Sequence, residues 1–226
     1  MKKIISLALL LVTAVMLLAG CKAAAKKDID KIKECYDRSY PHKIVVESTQ
    51  QFGAQSLLST TELTRGTIGA DFVAKKKINL EQLRSIEDGS GVDVYTYVET
   101  IKEEHWFRVG VGVSSDKGTT WDPEAENFFP DKGAFSLNLD VSLMDDVEYD
   151  DGVMTFTVAK DNTKSFFGPD TTITEDAKVE IHTGGGFVTS VLVSWVKPEN
   201  MATGVEMTTV TIKADYFYDQ QNITFD

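Results

Sequence analysis

Residues 177–196 read AKVEIHTGGGFVTSVLVSWV. In 177–183, Val179 and Ile181 alternate with Lys178, Glu180 and His182, the period of two expected of a strand with one buried face. Gly184-Gly185-Gly186 follows and precedes no helix, so it reads as a hairpin turn and not as a phosphate-cradling loop. In 187–196 the apolar residues fall on both sides. Phe187, Val191, Val193 and Trp195 are set on one face, Val188, Leu192 and Val196 on the other. A sheet covered on both sides explains this pattern, and so does a curled sheet whose inner face lines a pocket.

The same pattern extends in both directions along the chain. Residues 43–51 and 55–65 read as paired strands around Phe52-Gly53-Ala54. Thr67 to Ile78 reads as a third strand with Ile68, Ala70, Phe72 and Ala74 on one face, and Asn79 to Asp88 as a polar loop. Residues 92–101 and 104–114 alternate as two further strands, the second with His105, Phe107, Val109, Val111 and Val113 on one side. Strands at 147–149 and 153–160 are joined by the strong turn Asp150-Asp151-Gly152, and 161–176 is a polar loop around Phe166-Phe167-Gly168-Pro169. Strands at 205–218 and 222–225 complete the series. Phe135 to Met144 fits a strand through Phe135, Leu137, Leu139, Val141 and Leu143, and a helix through Leu137, Val141 and Met144. Only 28–36 is plainly helical: Ile29, Ile32 and Tyr36 share one face, Asp28 is placed as the N-cap, and Pro41 stops it. Ten or eleven strands with turns every eight to fifteen residues imply a mainly β (α+β) fold. The expected form is a curled antiparallel sheet or half-open β-barrel with one or two helices packed in it.

Ser114 to Trp121, SSDKGTTW, matches the Asp-box pattern S-x-D-x-G-x-T-W at Ser114, Asp116, Gly118, Thr120 and Trp121. It predicts a tight hairpin in which the Asp116 carboxylate accepts backbone N–H groups and Gly118 takes a positive φ. The motif resembles the repeated turns of sialidase propellers, where it is structural. One copy in a chain without internal repeats argues against both a propeller and a glycosidase.

The start of the chain addresses its location. Lys2 and Lys3 precede an apolar run from Ile4 to Ala19, and Leu18-Ala19-Gly20-Cys21 follows. The run is shorter than the roughly 20 residues a membrane span needs. The segment resembles a bacterial lipobox, which implies removal of residues 1–20, acylation of Cys21 and an extracytoplasmic protein tethered to a membrane. On this reading 21–27 is a lipidated tether and 28–226 a single β-rich domain. The chain carries 35 acidic against 23 basic residues, net −12, and loss of Lys2 and Lys3 makes it more acidic. That charge argues against nucleic acid and against a polybasic membrane contact. With Cys21 acylated, Cys35 has no intramolecular partner and reads as a small buried hydrophobe.

Beyond the lipobox, the mid-chain LNLDVSLMDDVEY (137–149) and the closing YFYDQQNITF (216–225) are similar to the LolA/LolB/LppX-type half-barrel lipoproteins. The resemblance implies about eleven antiparallel strands around helices, an apolar cavity, and non-enzymatic handling of lipids or lipoproteins, with the mid-chain segment as a helix in the barrel mouth. It carries no ligand residues at fixed spacing.

No catalytic constellation is found. His42, His105 and His182 lie far apart and show no metal spacing, and no G-x-S-x-G elbow is present. Asp145, Asp146, Glu148, Asp150 and Asp151 lack the EF-hand order and read as a solvated hairpin end, as do Asp116, Asp122, Glu124 and Glu126. No cofactor or metal is expected. Three functions stay open: carriage of an apolar or amphipathic ligand such as a lipid, a solid structural or interaction module, and an envelope hydrolase. The aromatics Phe72, Tyr95, Tyr97, Phe107, Phe156, Phe187, Trp195, Tyr216 and Tyr218 line a pocket on the first reading and a core on the second.

Overall fold

Gly185 and Gly186 take φ of +61° and +85° between β8 (Ala177–Gly184) and β9 (Phe187–Lys197). Two successive positive φ values are what a two-residue hairpin turn requires for its strands to stay in twist with each other. Asp151 (φ +43°) and Gly152 (φ +84°) do the same between β6 (Asp145–Asp150) and β7 (Val153–Val158). The computed structural model describes residues 26–52, 55–68, 71–87, 93–123, 135–198, 207–219 and 223.

Local hairpins build most of the sheet. β1 (Lys43–Phe52), β2 (Gln55–Ile68), β3 (Asp71–Glu87), β4 (Asp93–Arg108) and β5 (Gly112–Ser114) form one antiparallel meander, and β6 to β10 (Thr208–Phe217) form the other. β1 pairs with β10 from Lys43↔Phe217 to Phe52↔Thr208 and joins the two into one ten-stranded sheet, ordered β5-β4-β3-β2-β1-β10-β9-β8-β7-β6. The outermost strands β5 and β6 do not pair with each other, so the sheet is curled and open, as the sequence implies.

Helix α1 spans 26–38 and lays Ile29, Ile32 and Tyr36 on the sheet. It takes in Lys26 and Lys27, which the sequence alone places in the tether. Asp28 is inside the first turns and not ahead of them, where it accepts a bond from Lys31 Nζ at 3.1 Å. Under α1 the inner face of the sheet is filled. Met154, Phe156 and Val158 of β7, Val179 and Ile181 of β8, Val191, Val193 and Trp195 of β9, Val210, Ala214 and Tyr216 of β10, and Ile44 of β1 are all buried.

Four expectations are corrected. β2 runs through Gly66 to Ile68, so the next strand starts at Asp71, and it continues to Glu87 through the stretch expected to be a polar loop. Residues 92–101 and 104–114 are not two strands but one, β4, followed by a turn and the short β5, which leaves Val109 and Val111 exposed in the turn. The 135–144 segment is neither helix nor strand. It is an irregular run closed by a 3-10 turn, Val141–Leu143, which Asp140 caps through its bond from Ser142 N, and it still buries Leu137, Leu139 and Met144. The expected polar loop at 161–176 contains α2 (Thr163–Phe167), whose Phe166 packs edge-on against Phe156 with ring centroids 5.5 Å apart.

The faces of β9 also differ from simple alternation. Thr183 pairs with Val188 but His182 pairs with Ser190, so one extra residue is accommodated on β9 at this point. A bulge of this kind reverses which side chains face inward. Val188 is therefore buried with Val191, at 1 % exposure, while Phe187 stands outside at 37 %.

Candidate functional site

Among the described residues, the helices cover only part of the inner face. The core cluster extends from β7 across β1 to Leu63 of β2. Beyond it, on the same face of β2, β3 and β4, register places Thr61 beside Ile78 and Glu103, and Leu80 beside Ile101. One row nearer the core, Leu63 neighbours Lys76, which neighbours His105. One row further, Arg65 neighbours Ala74, which neighbours Phe107. The result is a strip of the inner face, termed the trough below, with an apolar end at Ile78, Leu80 and Ile101 and a basic end at Lys76, His105 and Arg65. Ile78, Ile101, Lys76 and His105 are half-buried, and Leu80 is exposed.

At the basic end, His105 Nε2 lies 3.2 Å from Glu103 Oε2. Arg65 is buried beneath the Tyr40 ring, its guanidinium carbon 4.9 Å from the ring centroid. At the apolar end the β2–β3 ladder stops at Thr60↔Asn79. Side chains carry the contact a little further: Leu58 N donates to Glu81 Oε2 at 2.8 Å and Glu81 N to Ser59 Oγ at 3.3 Å. The β3–β4 hairpin then projects as a two-stranded ribbon with Leu83 and Val98 exposed on its outer side.

The outer face is chemically different. Lys75 and Lys77 both reach Glu104, at 3.3 and 3.7 Å, and Lys43 reaches Glu62 at 3.1 Å. Shallow grooves there are lined mainly by Thr155, Thr157, Lys178, Glu180 and Ser194, and by Thr60, Glu62, Lys77, Asn79 and Lys102.

The hydroxyls that fix α1 are buried. Tyr36 O–H donates to the Phe135 carbonyl and accepts from Leu137 N–H at 3.2 Å, and burial raises its phenol above the ordinary range. Ser39 Oγ accepts from Val188 N–H at 3.0 Å, contacts the Tyr218 hydroxyl at 2.9 Å and donates to the Cys35 carbonyl at 2.8 Å. Burial likewise raises Tyr218.

Cys21, the one site residue the sequence singles out, lies outside the described residues. Among the described residues no helix is long and apolar enough to cross a membrane. Cys35 is half-buried against the core with a free thiol. His42, His105 and His182 are dispersed: His182 sits by Glu180 on the outer face, His105 at the trough. Among the described residues no three His, Cys, Asp or Glu side chains gather to hold a metal. The Asp-box folds as its sequence requires. Asp116 Oδ1 accepts from Thr119 N at 3.1 Å and Thr120 N at 2.8 Å, Ser114 Oγ accepts from Gly118 N at 2.8 Å, and Gly118 has φ +80°. Of the aromatics, Phe107, Phe156, Trp195 and Tyr216 are buried, Phe72 and Tyr218 half-buried, and Tyr97 and Phe187 exposed; the Tyr95 side chain is outside the described set. Sequence alone does not show the trough, because the strand reading stops at 78 and at 101; only Ile78 and Leu80, two positions apart, hint that β3 runs on.

No family model matches this chain, and no curated protein matches it. Among solved structures, a crystal structure of a DUF1329 family protein from Desulfovibrio piger is similar over 89 % of this chain and 97 % of that one, at 9 % identity and a TM-score of 0.26. At that identity and score the likeness fixes neither fold nor function.

Proposed function

We propose that this chain is a lipid-anchored cell-envelope lipoprotein that holds an apolar or amphipathic ligand, in the manner of the half-barrel lipoproteins it resembles, without catalysis. The observation that carries the reading is the unequal cover of one sheet face by the described residues: filled under α1, without a covering helix across β2–β4, where Ile78, Leu80 and Ile101 are aligned. Apolar side chains half-exposed in a row gain from any acyl chain that removes them from water, at about 25 cal/mol per Å². The lipobox ending in Cys21 supplies the anchor, and acylation with two or more chains holds a protein firmly to a membrane.

A second reading has its own support. The inner face of β7–β10 is packed solid, with Val191, Val193 and Ala214 fully buried, and a module of this kind can work through its surface alone. Two experiments separate the readings. Labelled palmitate should enter the wild-type chain and not Cys21→Ala, which should also leave the membrane fraction. A fluorescent fatty-acid analogue should be taken up by the chain from Lys22 onward, which contains every described element, and Leu80→Glu and Ile101→Glu should each abolish uptake. Absence of label at Cys21 contradicts the anchor; no uptake by the wild type favours the surface module.

A further inference from the structure

Resting on that reading of the trough, we infer that its ligand is an anionic amphiphile, its chain along Ile78, Leu80 and Ile101 and its carboxylate or phosphate head at Lys76 and His105. The chain as a whole is strongly acidic, net −12, yet one end of the uncovered inner face is basic. Lys76 and His105 are directly opposed across β3 and β4, and Arg65 is one row further on the same face. Lys76 and Ile78 are two positions apart on β3 and share its inner face, so the charged and apolar groups are successive inward-facing residues, about 7 Å apart along the strand. That is the spacing from a head group to the first carbons of its chain.

Arg65 supplies position more than contact. It is 2 % exposed and stacked beneath Tyr40, so it sets the potential at the closed end of the trough while Lys76 and the His105 ring remain within reach of a head group. Glu103 is the opposing element. It faces inward beside Ile78, with its carboxylate against His105 Nε2, and an arriving anion must displace it or share that nitrogen. The two side chains therefore make opposite predictions. Lys76 favours an anionic head and Glu103 disfavours it, and replacing either leaves Ile78, Leu80 and Ile101 in place.

The test is calorimetric titration of the chain from Lys22 onward with three probes below their micellar concentrations: dodecyl phosphate, dodecyl maltoside with the same chain and a neutral head, and inorganic phosphate alone. Dodecyl phosphate is expected to bind about tenfold or more tighter than the maltoside, the scale of one charge-assisted hydrogen bond, and inorganic phosphate not to bind measurably. Lys76→Gln should remove that preference, the ratio of the two affinities, and Glu103→Gln should increase it, both with an unchanged far-UV spectrum. Equal affinity for the two amphiphiles overturns the anionic head and leaves ligand carriage standing. Binding of inorganic phosphate as tight as that of dodecyl phosphate overturns the amphiphile, because the head alone then suffices. Binding of none of the three overturns both this inference and the carriage reading it rests on.

Discussion

Ser39 Oγ stands 3.0 Å from the backbone nitrogen of Val188, a residue 149 positions further along the chain, and accepts its N–H. The same hydroxyl meets Tyr218, whose oxygen also contacts the Val188 carbonyl. The end of α1, the start of β9 and the segment after β10 are thereby tied at one buried point. Two hydroxyl protons, of Ser39 and Tyr218, serve three contacts there: to the Cys35 carbonyl, to the Val188 carbonyl and between the two oxygens.

Ser39→Ala is expected to destabilise the chain by about 1–3 kcal/mol, the cost of leaving the buried Val188 N–H without an acceptor. Tyr218→Phe, which removes a donor but leaves the Val188 N–H bonded, should cost about 1 kcal/mol. Urea unfolding of both variants checks the order; a larger loss in Tyr218→Phe than in Ser39→Ala would place the weight on Tyr218 instead.

The bulge in β9 makes a prediction that simple alternation reverses. Val188→Asp buries an unpaired charge and should prevent folding, a loss beyond about 4 kcal/mol. Phe187→Ser touches an exposed ring whose described aromatic neighbour is Tyr218, at 4.8 Å between centroids, and should cost about 1 kcal/mol. Thermal unfolding of the pair decides which face each residue occupies.

Asp116 is held at a pKa of about 2 by bonds from the Thr120 hydroxyl, the Ser114 hydroxyl and the Thr120 and Thr119 amides. Its folded value lies below the unfolded carboxylate value of roughly 3.9. The stabilisation is therefore present above pH 4 and lost as the pH falls through 2. Asp116→Asn should lower the unfolding midpoint at neutral pH, and its difference from wild type should shrink between pH 4 and 2. A difference that stays constant across that window contradicts the assignment.

Two glycines with positive φ should differ sharply in their tolerance. A Cβ on Gly185 meets no atom within 4 Å, so Gly185→Ala costs only the left-handed backbone, about 1–2 kcal/mol. At Gly112, φ +127°, a Cβ would lie 2.2 Å from the Asp122 carbonyl oxygen, in the bridge that closes the Asp-box hairpin. Gly112→Ala should cost roughly 3 kcal/mol or more, with loss of amide protection at Val113 and Asp122 in hydrogen exchange.

The parts of the fold that sequence makes legible are those set by local stereochemistry. The turns at Asp151-Gly152 and Gly185-Gly186, the Asp-box and the Ile29, Ile32, Tyr36 stripe each need particular residues at particular spacings, and each was readable. The extra residue of β9 was not, because it depends on what β8 offers opposite His182. The length of β3 and β4 was not, because an exposed ribbon has no buried face to impose alternation, and its polar residues mimic a loop. Phe166 reads as loop in the sequence because only tertiary packing against Phe156 decides its place. The trough combines both problems: Lys76 and His105 are 29 positions apart in sequence, and only the β3–β4 register sets them side by side.

On the proposed function, the inner face across β2–β4 carries a ligand. Native mass spectrometry of the chain from Lys22 onward, purified without detergent from a bacterial host, tests it most directly, with extraction and identification of any bound lipid. The account predicts a stoichiometric adduct that survives purification and is lost in Leu80→Glu and Ile101→Glu. A clean apo mass, with no adduct after incubation with lipid or a fluorescent apolar probe, would contradict it.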